Sequence, residues 1–154
     1  MSVRGAALTL LGRRDYTAAE LRERLIEKGH DKGEVDEQIE SLTADGTISD
    51  ARVASVHIRV ASQVKGRGKM RIRQELLARG VAKSVVDAQL SELPAEDEAA
   101  AIQKFLSRKR LPETLTPEAR NRVFQQLLRK GFNADAISKA LRHRRVADER
   151  AEDE

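Results

Sequence analysis

Apolar side chains recur along this chain at helical spacing, and the recurrence itself repeats. Gly29, Gly80 and Gly131 lie 51 residues apart. Four positions before each stands Leu25, Leu76 or Leu127, and three before stands Ile26, Leu77 or Leu128. Leu21, Ile72 and Val123 come eight positions before, and Lys28, Arg79 and Lys130 immediately precede the glycines. Downstream by six are Val35, Val86 and Ile137, and by ten Ile39, Leu90 and Leu141. Apolar positions at i, i+4 and i+5 form one face of an amphipathic helix. The glycine then takes the left-handed position just past the helix end, as in a Schellman cap. That cap brings the residue after Gly against the Leu four before it, pairing His30 with Leu25, Val81 with Leu76 and Phe132 with Leu127.

The segments around this unit read as further helices. Asp31 and Asn133 are good N-caps for a helix after the glycine turn. Ala82 is a poor one, so the middle copy is expected to begin its third helix at Ser84. Upstream, residues 3–13, 50–64 and 96–109 carry apolar residues at helical spacing. Thr17 with Glu20 reads as a capping box, and Thr116 before Pro117 as an N-cap with Pro at the first helical position. Asp45-Gly46 and Pro94 mark breaks between copies. The expected fold is all-α: three tandem three-helix repeats, about nine helices, in an elongated, curved modular body. The expected boundaries are 1–46, 47–93 and 94–145, followed by an acidic disordered tail, 146–154.

Composition supports this and removes several function classes. Of the 154 residues, 35 % are charged, above the usual ~25 %. Aromatics are 3 %, too few for a β-rich fold or for platforms that stack single-stranded bases. The absence of cysteine excludes disulfides, thiolate metal sites and a Cys nucleophile. No apolar run is long enough to span a membrane, so a cytoplasmic protein is expected. His30, His57 and His143 are far apart, without metal-ligand spacing; His30 is read as a cap contact and the other two as surface groups. No nucleophile or nucleotide-binding pattern is present, so neither an enzyme nor a cofactor is expected.

Charge is distributed unevenly. The net +4 combines a segment of residues 15–49, with ten acids and four bases, with residues 59–79, with seven bases and one acid. Residues 148–154 add five acids and one Arg. The sharpest feature is Lys65-Gly66-Arg67-Gly68-Lys69-Met70-Arg71-Ile72-Arg73, with a cation at every second position through a loop into a helix start. Cations at a helix N-terminus oppose the macrodipole by roughly 0.3–1 kcal/mol, which points to an external anion, with the two glycines allowing close approach. Arg73 lies beside the apolar face, so its stem is expected to pack, whereas Arg71 points away. The candidate binding residues are Arg52, Arg59, Lys65, Arg67, Lys69, Arg71 and Arg73. Sequence-specific DNA readout is disfavoured, because the helix after Gly29 carries Glu34, Asp36, Glu37 and Glu40. The acidic tail reads as solubilising, or as a competitor for the basic centre.

These residues resemble the RecX family of bacterial RecA regulators. Ala7-Leu8 to Leu11, Arg14-Asp15-Tyr16-Thr17, Glu20-Leu21 and Leu25 to Lys28-Gly29 are similar to the family's opening motif. Gly46-Thr47-Ile48-Ser49-Asp50-Ala51-Arg52-Val53-Ala54 resembles its linker, with Val53 where Phe is usual and Ser49 where a second Asp is usual. Gly68 to Leu76 and on to Gly80 resembles its most recognisable segment, with Lys69 where Pro often stands. Leu128-Arg129-Lys130-Gly131-Phe132 matches more loosely, and the resemblance covers about residues 6–142. It implies a modular all-helical regulator that lies in the groove of the RecA–DNA filament; the chain is expected to be a monomer that touches single- or double-stranded DNA through phosphates, weakly on its own. Such a protein inhibits ATP hydrolysis, strand exchange and co-protease activity, in DNA repair, recombination and the SOS response. The rival readings are a general DNA-binding helical-repeat protein contacting phosphates, and an adaptor for another acidic partner.

Overall fold

The computed structural model describes residues 1–142 and the backbone of residues 145 and 146. Expectations for His143 and for the acidic tail, 148–154, fall outside the described residues. The helices are α1 (Val3–Leu11), α2 (Ala18–Glu27), α3 (Lys32–Ala44), α4 (Asp50–Arg59), α5 (Lys69–Ala78), α6 (Lys83–Ser91), α7 (Ala95–Lys109), α8 (Pro117–Arg129) and α9 (Ala134–Arg142). A two-residue parallel pairing of β1 (Thr114–Leu115) with β2 (Arg145–Val146) is the one departure from an all-α chain among the described residues.

The 51-residue register holds at the level of atoms. The second helix of each copy ends at Glu27, Ala78 or Arg129, and the third begins at Lys32, Lys83 or Ala134. All three glycine turns are Schellman caps: His30 N–H donates to Leu25 O at 3.2 Å, Val81 to Leu76 at 3.1 Å and Phe132 to Leu127 at 3.2 Å. The glycines take φ of +94°, +86° and +97°. The third helix of the middle copy starts at Lys83, one residue before the expected Ser84. Ala82 has no side-chain acceptor, yet its carbonyl still receives the Val86 N–H at 3.0 Å, so the preceding turn sets the start without a cap.

The described chain falls into two compact units. One comprises Met1–Ile58 with Arg73–Leu90, the other Arg59–Ile72 with Ser91 onward. The division runs through α5 and at the end of α4, so it does not follow the three-copy register. In the first unit, Leu10, Leu21, Leu25, Val35, Leu42 and Ile48 form a core between α1, α2 and α3. In the second, Ile102, Leu106, Val123, Leu127, Phe132 and Ile137 form the core of α7, α8 and α9, with Leu115 joining it. The register positions Leu25, Leu76 and Leu127 are all fully buried, as are Val35, Val86 and Ile137.

Inside the first unit, α2 starts against the turn that ends α5. Thr17 is fully buried, and its hydroxyl donates to Arg79 O at 2.7 Å while accepting the Glu20 N–H at 3.0 Å. The expected capping box is complete, since Thr17 N–H donates to Glu20 Oε1 at 2.9 Å. Ala18 N–H donates to Asp50 Oδ1 at 2.9 Å. Glu20 also accepts from Arg79 Nη2 at 3.0 Å and from Nε at 3.2 Å, a fork-shaped pair.

His57 is not a surface group. Arg79 Nη1 lies 3.4 Å from its Nδ1 and Glu75 Oε1 lies 3.4 Å from its Nε2, with only 18 % of the side chain exposed.

Burial of Glu20 works to raise its pKa. The hydrogen bonds from Arg79 and from the Thr17 N–H, with the charges of Arg79 and Arg14, outweigh that and leave it below the ordinary 4.5. A carboxyl depressed in the folded state gives stability that is complete above its unfolded value and lost as pH falls through the folded one. Urea unfolding from neutral pH to well below 4.5 should therefore show a steeper loss in the wild type than in Glu20→Gln. Parallel profiles would show that this pair contributes nothing.

A basic groove in the second unit

Val60–Val64 continues α4 as a π-helical turn, with Lys65 N–H donating to Val60 O at 3.1 Å. The wider turn is closed by Arg67 N–H on Ala61 O at 2.9 Å. Gly66, at φ +64° with nothing within 4 Å of an added Cβ, reverses the chain toward α5. The loop faces α7 across a groove of about 540 Å³. Ile72 and Phe132 are buried at its floor, with Ala101 and Phe105 half-buried beside them. Lys65, Arg67 and Lys69 line it from the loop, Lys104 and Arg108 from α7, and Lys130 from the end of α8. Asp97 and Glu98 are its acids, and Glu98 Oε1 is occupied by the Asn133 N–H at 3.3 Å. Six cations against two acids, along low-dielectric walls, focus positive potential into the groove.

Gly68 holds this arrangement together, in a way different from the expected approach to an anion. A Cβ there would lie 2.4 Å from Gly131 C and 2.5 Å from Phe132 N. Gly68 N–H donates to Lys130 O at 2.8 Å and Met70 N–H to Gly131 O at 3.0 Å. The start of α5 is thus docked on the C-terminal turn of α8, just as α2 docks on the turn of α5. Carbonyls at that turn carry partial negative charge, so they offset the cost of Lys69 and Arg71 at a helix N-terminus. The macrodipole argument for an external anion is met internally, and the case for a ligand rests on the groove instead.

The two docked helix starts differ in one respect. In 51-residue register Arg71 corresponds to Glu20, and Lys130 to Arg79. Where the first joint has a carboxylate on a guanidinium, the second has two cations. Arg71 is half-buried, and an added Cβ on Gly131 would lie 2.3 Å from its Cβ. Lys130 Nζ lies 5.5 Å from the Phe105 ring centroid, a cation–π contact.

The sequence-derived candidates divide accordingly. Lys65, Arg67 and Lys69 line the groove, and Lys69 Nζ also donates to Leu93 O at 2.9 Å. Arg71 stands at the joint. Arg59 is exposed at the end of α4, outside the groove lining. Arg52 is exposed and outside the groove lining, and its guanidinium donates to Gly46 O at 3.2 Å and Thr47 O at 2.9 Å, closing the loop before α4. Arg73 pairs with Asp87 at 2.9 Å in the first unit. Lys104, Arg108 and Lys130 join Lys65, Arg67 and Lys69 in the lining although the sequence does not single them out, because they reach the loop only through tertiary packing. Among the described residues no cluster of three or more His, Cys, Asp or Glu could hold a metal ion, and no helix is long and apolar enough to cross a membrane.

Three family models match the chain in succession: the first three-helix domain of RecX over residues 4–42, the second over 49–90 and the third over 96–141. The regulatory protein RecX of Halorhodospira halophila is 37 % identical over 151 residues, covering 97 % of this chain and 92 % of its own. That of Haemophilus influenzae is 34 % identical over 135 residues, covering 85 % and 87 %. A crystal structure of RecX from Lactobacillus salivarius is similar with a TM-score of 0.79 at 21 % identity, covering 91 % of this chain and 92 % of that one.

Proposed function

The chain belongs to the RecX family, and on that footing we propose that it is a non-enzymatic regulator that binds the RecA–DNA filament. It thereby inhibits ATP hydrolysis, strand exchange and co-protease activity, restraining recombination and the SOS response. The observation that carries this reading is the groove whose rim bears Lys65, Arg67, Lys69, Lys104, Arg108 and Lys130 with no catalytic group among them. Its lining also favours a protein-bearing partner over bare phosphate: Val64 is 78 % exposed there, a side chain with no role on a phosphate backbone. We take the domains to run over 1–46, 47–93 and 94–145 with 146–154 as a tail, and the protein to act as a cytoplasmic monomer.

The test is RecA ATP hydrolysis on single-stranded DNA, titrated with this chain. Wild type should suppress turnover. Lys104→Glu with Arg108→Glu, both exposed on α7, should need at least about tenfold more protein, since charge reversal at a desolvated contact typically costs more than 1.4 kcal/mol. Suppression that is absent in the wild type, or unchanged in the variant, would contradict the reading.

A further inference from the structure

Among the described residues, two of the three Schellman turns carry a docked helix start, and the third carries none. At Gly80 the visitor is α2: Thr17 donates its hydroxyl to Arg79 O, Ala19 Cβ lies 2.5 Å from where a Cβ on Gly80 would be, and Glu20 takes the Arg79 guanidinium. At Gly131 the visitor is α5, with Gly68 N–H on Lys130 O and the Arg71 backbone packed on the glycine. Gly29 has the same backbone, at φ +94°, the same cap bond from His30 to Leu25 and the same preceding cation, Lys28. Yet a Cβ there would meet none of the described residues within 4 Å, and Lys28 and Gly29 are both exposed.

We propose that the Lys28–Gly29–His30 turn is a docking point for the N-terminus of a helix on the protein partner, a RecA subunit of the filament. The proposal rests on the regulatory reading above. The two occupied turns define the chemistry of the visitor. Both docked helices supply a cap residue that donates to the carbonyl before the glycine; the α2 joint adds a small second residue, Ala19, on the glycine and an acidic third, Glu20, on the preceding cation, and a visitor of that kind would pair its carboxylate with Lys28. A second copy of this chain does not supply that visitor. Its remaining second-helix start, α8, begins at Pro117, with Glu118 at the second helical position and Ala119 at the third, so it offers neither the small residue for Gly29 nor the carboxylate for Lys28 in those places.

Gly29→Asn separates docking from folding. Asn tolerates the left-handed conformation at a helix C-terminus, and its side chain enters open space here while covering the turn. Lys28→Glu keeps the turn and reverses its charge. Full-length variants would be assayed for affinity to preformed RecA–DNA filament and to the same DNA bare, with thermal melts in parallel. Both should melt near wild type, bind bare DNA unchanged and lose about fivefold or more in filament affinity. If Gly29→Asn fails to fold, Lys28→Glu decides alone. Filament affinity unchanged in the folded variants would overturn this proposal while leaving the regulatory reading intact. A wild type that does not prefer filament to bare DNA would overturn both.

Discussion

Arg71→Glu is expected to stabilise the fold and, at the same time, to cost at least about tenfold in filament affinity. The reason is the difference between the two joints. Glu20 accepts two bonds from Arg79 where α2 meets the end of α5. The corresponding residues where α5 meets the end of α8 are Arg71 and Lys130. A carboxylate at position 71 would recreate the first joint's ion pair, worth about 0.5–1 kcal/mol for a half-exposed pair, or roughly 1–4 °C in melting temperature for a chain this size. It would also remove one cation beside the groove and neutralise another. Residues kept at a cost to stability are the ones expected at functional sites. The check is a melting curve with a filament-binding isotherm on the same variant. A melting temperature that falls together with affinity would show that Arg71 is a structural residue.

The largest stability effects should fall on the glycine turns, graded by what each one carries. Gly29→Ala puts a methyl into open space, so its cost is the left-handed strain alone, about 1–2 kcal/mol. Gly80→Ala adds a contact at 2.5 Å with the Ala19 methyl, which yields only if α2 shifts. Gly131→Ala is the most severe, because its methyl would lie 2.3 Å from Arg71 Cβ and 2.4 Å from Arg71 N, and backbone cannot rotate away. Overpacking typically adds about 1–3 kcal/mol to the strain, so the Gly131 variant should lose roughly 2–5 kcal/mol in all. Urea midpoints of the three variants should decrease in the order Gly29, Gly80, Gly131. Equal losses would mean that only the backbone angle matters and that the joints are not closely packed.

Much of this fold is local, and that part is visible in the amino-acid order. The Schellman turns, the Thr17–Glu20 box and the Thr116–Pro117 start each depend on residues within one or two turns of each other. Their spacing therefore announces them. The 51-residue register adds which residues are core, because Leu25, Leu76 and Leu127 can only repeat if they face the same way. What the order of residues does not carry is the pairing between distant turns. Gly68 reads as a flexible loop residue until Gly131 is found against it. Lys104, Arg108 and Lys130 join Lys65 and Arg67 only because α7 and the end of α8 pack beside the π-helical turn. Arg52 reads as part of a basic strip, and nothing in the residue order shows that its guanidinium also holds the carbonyls of Gly46 and Thr47. His57 reads as exposed until Glu75 and Arg79 close over it. In each case a side chain's role is set by a neighbour more than a dozen residues away, or by a carbonyl, which leaves no trace in composition.

The central claim is that the basic groove serves a protein–DNA filament rather than phosphate alone. It is tested most directly by measuring affinity at about 150 mM salt, where binding to phosphate alone weakens steeply. The titrant would be the wild type and the Arg67→Glu, Arg71→Glu double variant, against preformed RecA–DNA filament and the same DNA bare. The wild type should prefer filament by at least about tenfold, and the double variant should lose that preference while keeping its helix content. Equal affinity of the wild type for filament and bare DNA would contradict the account.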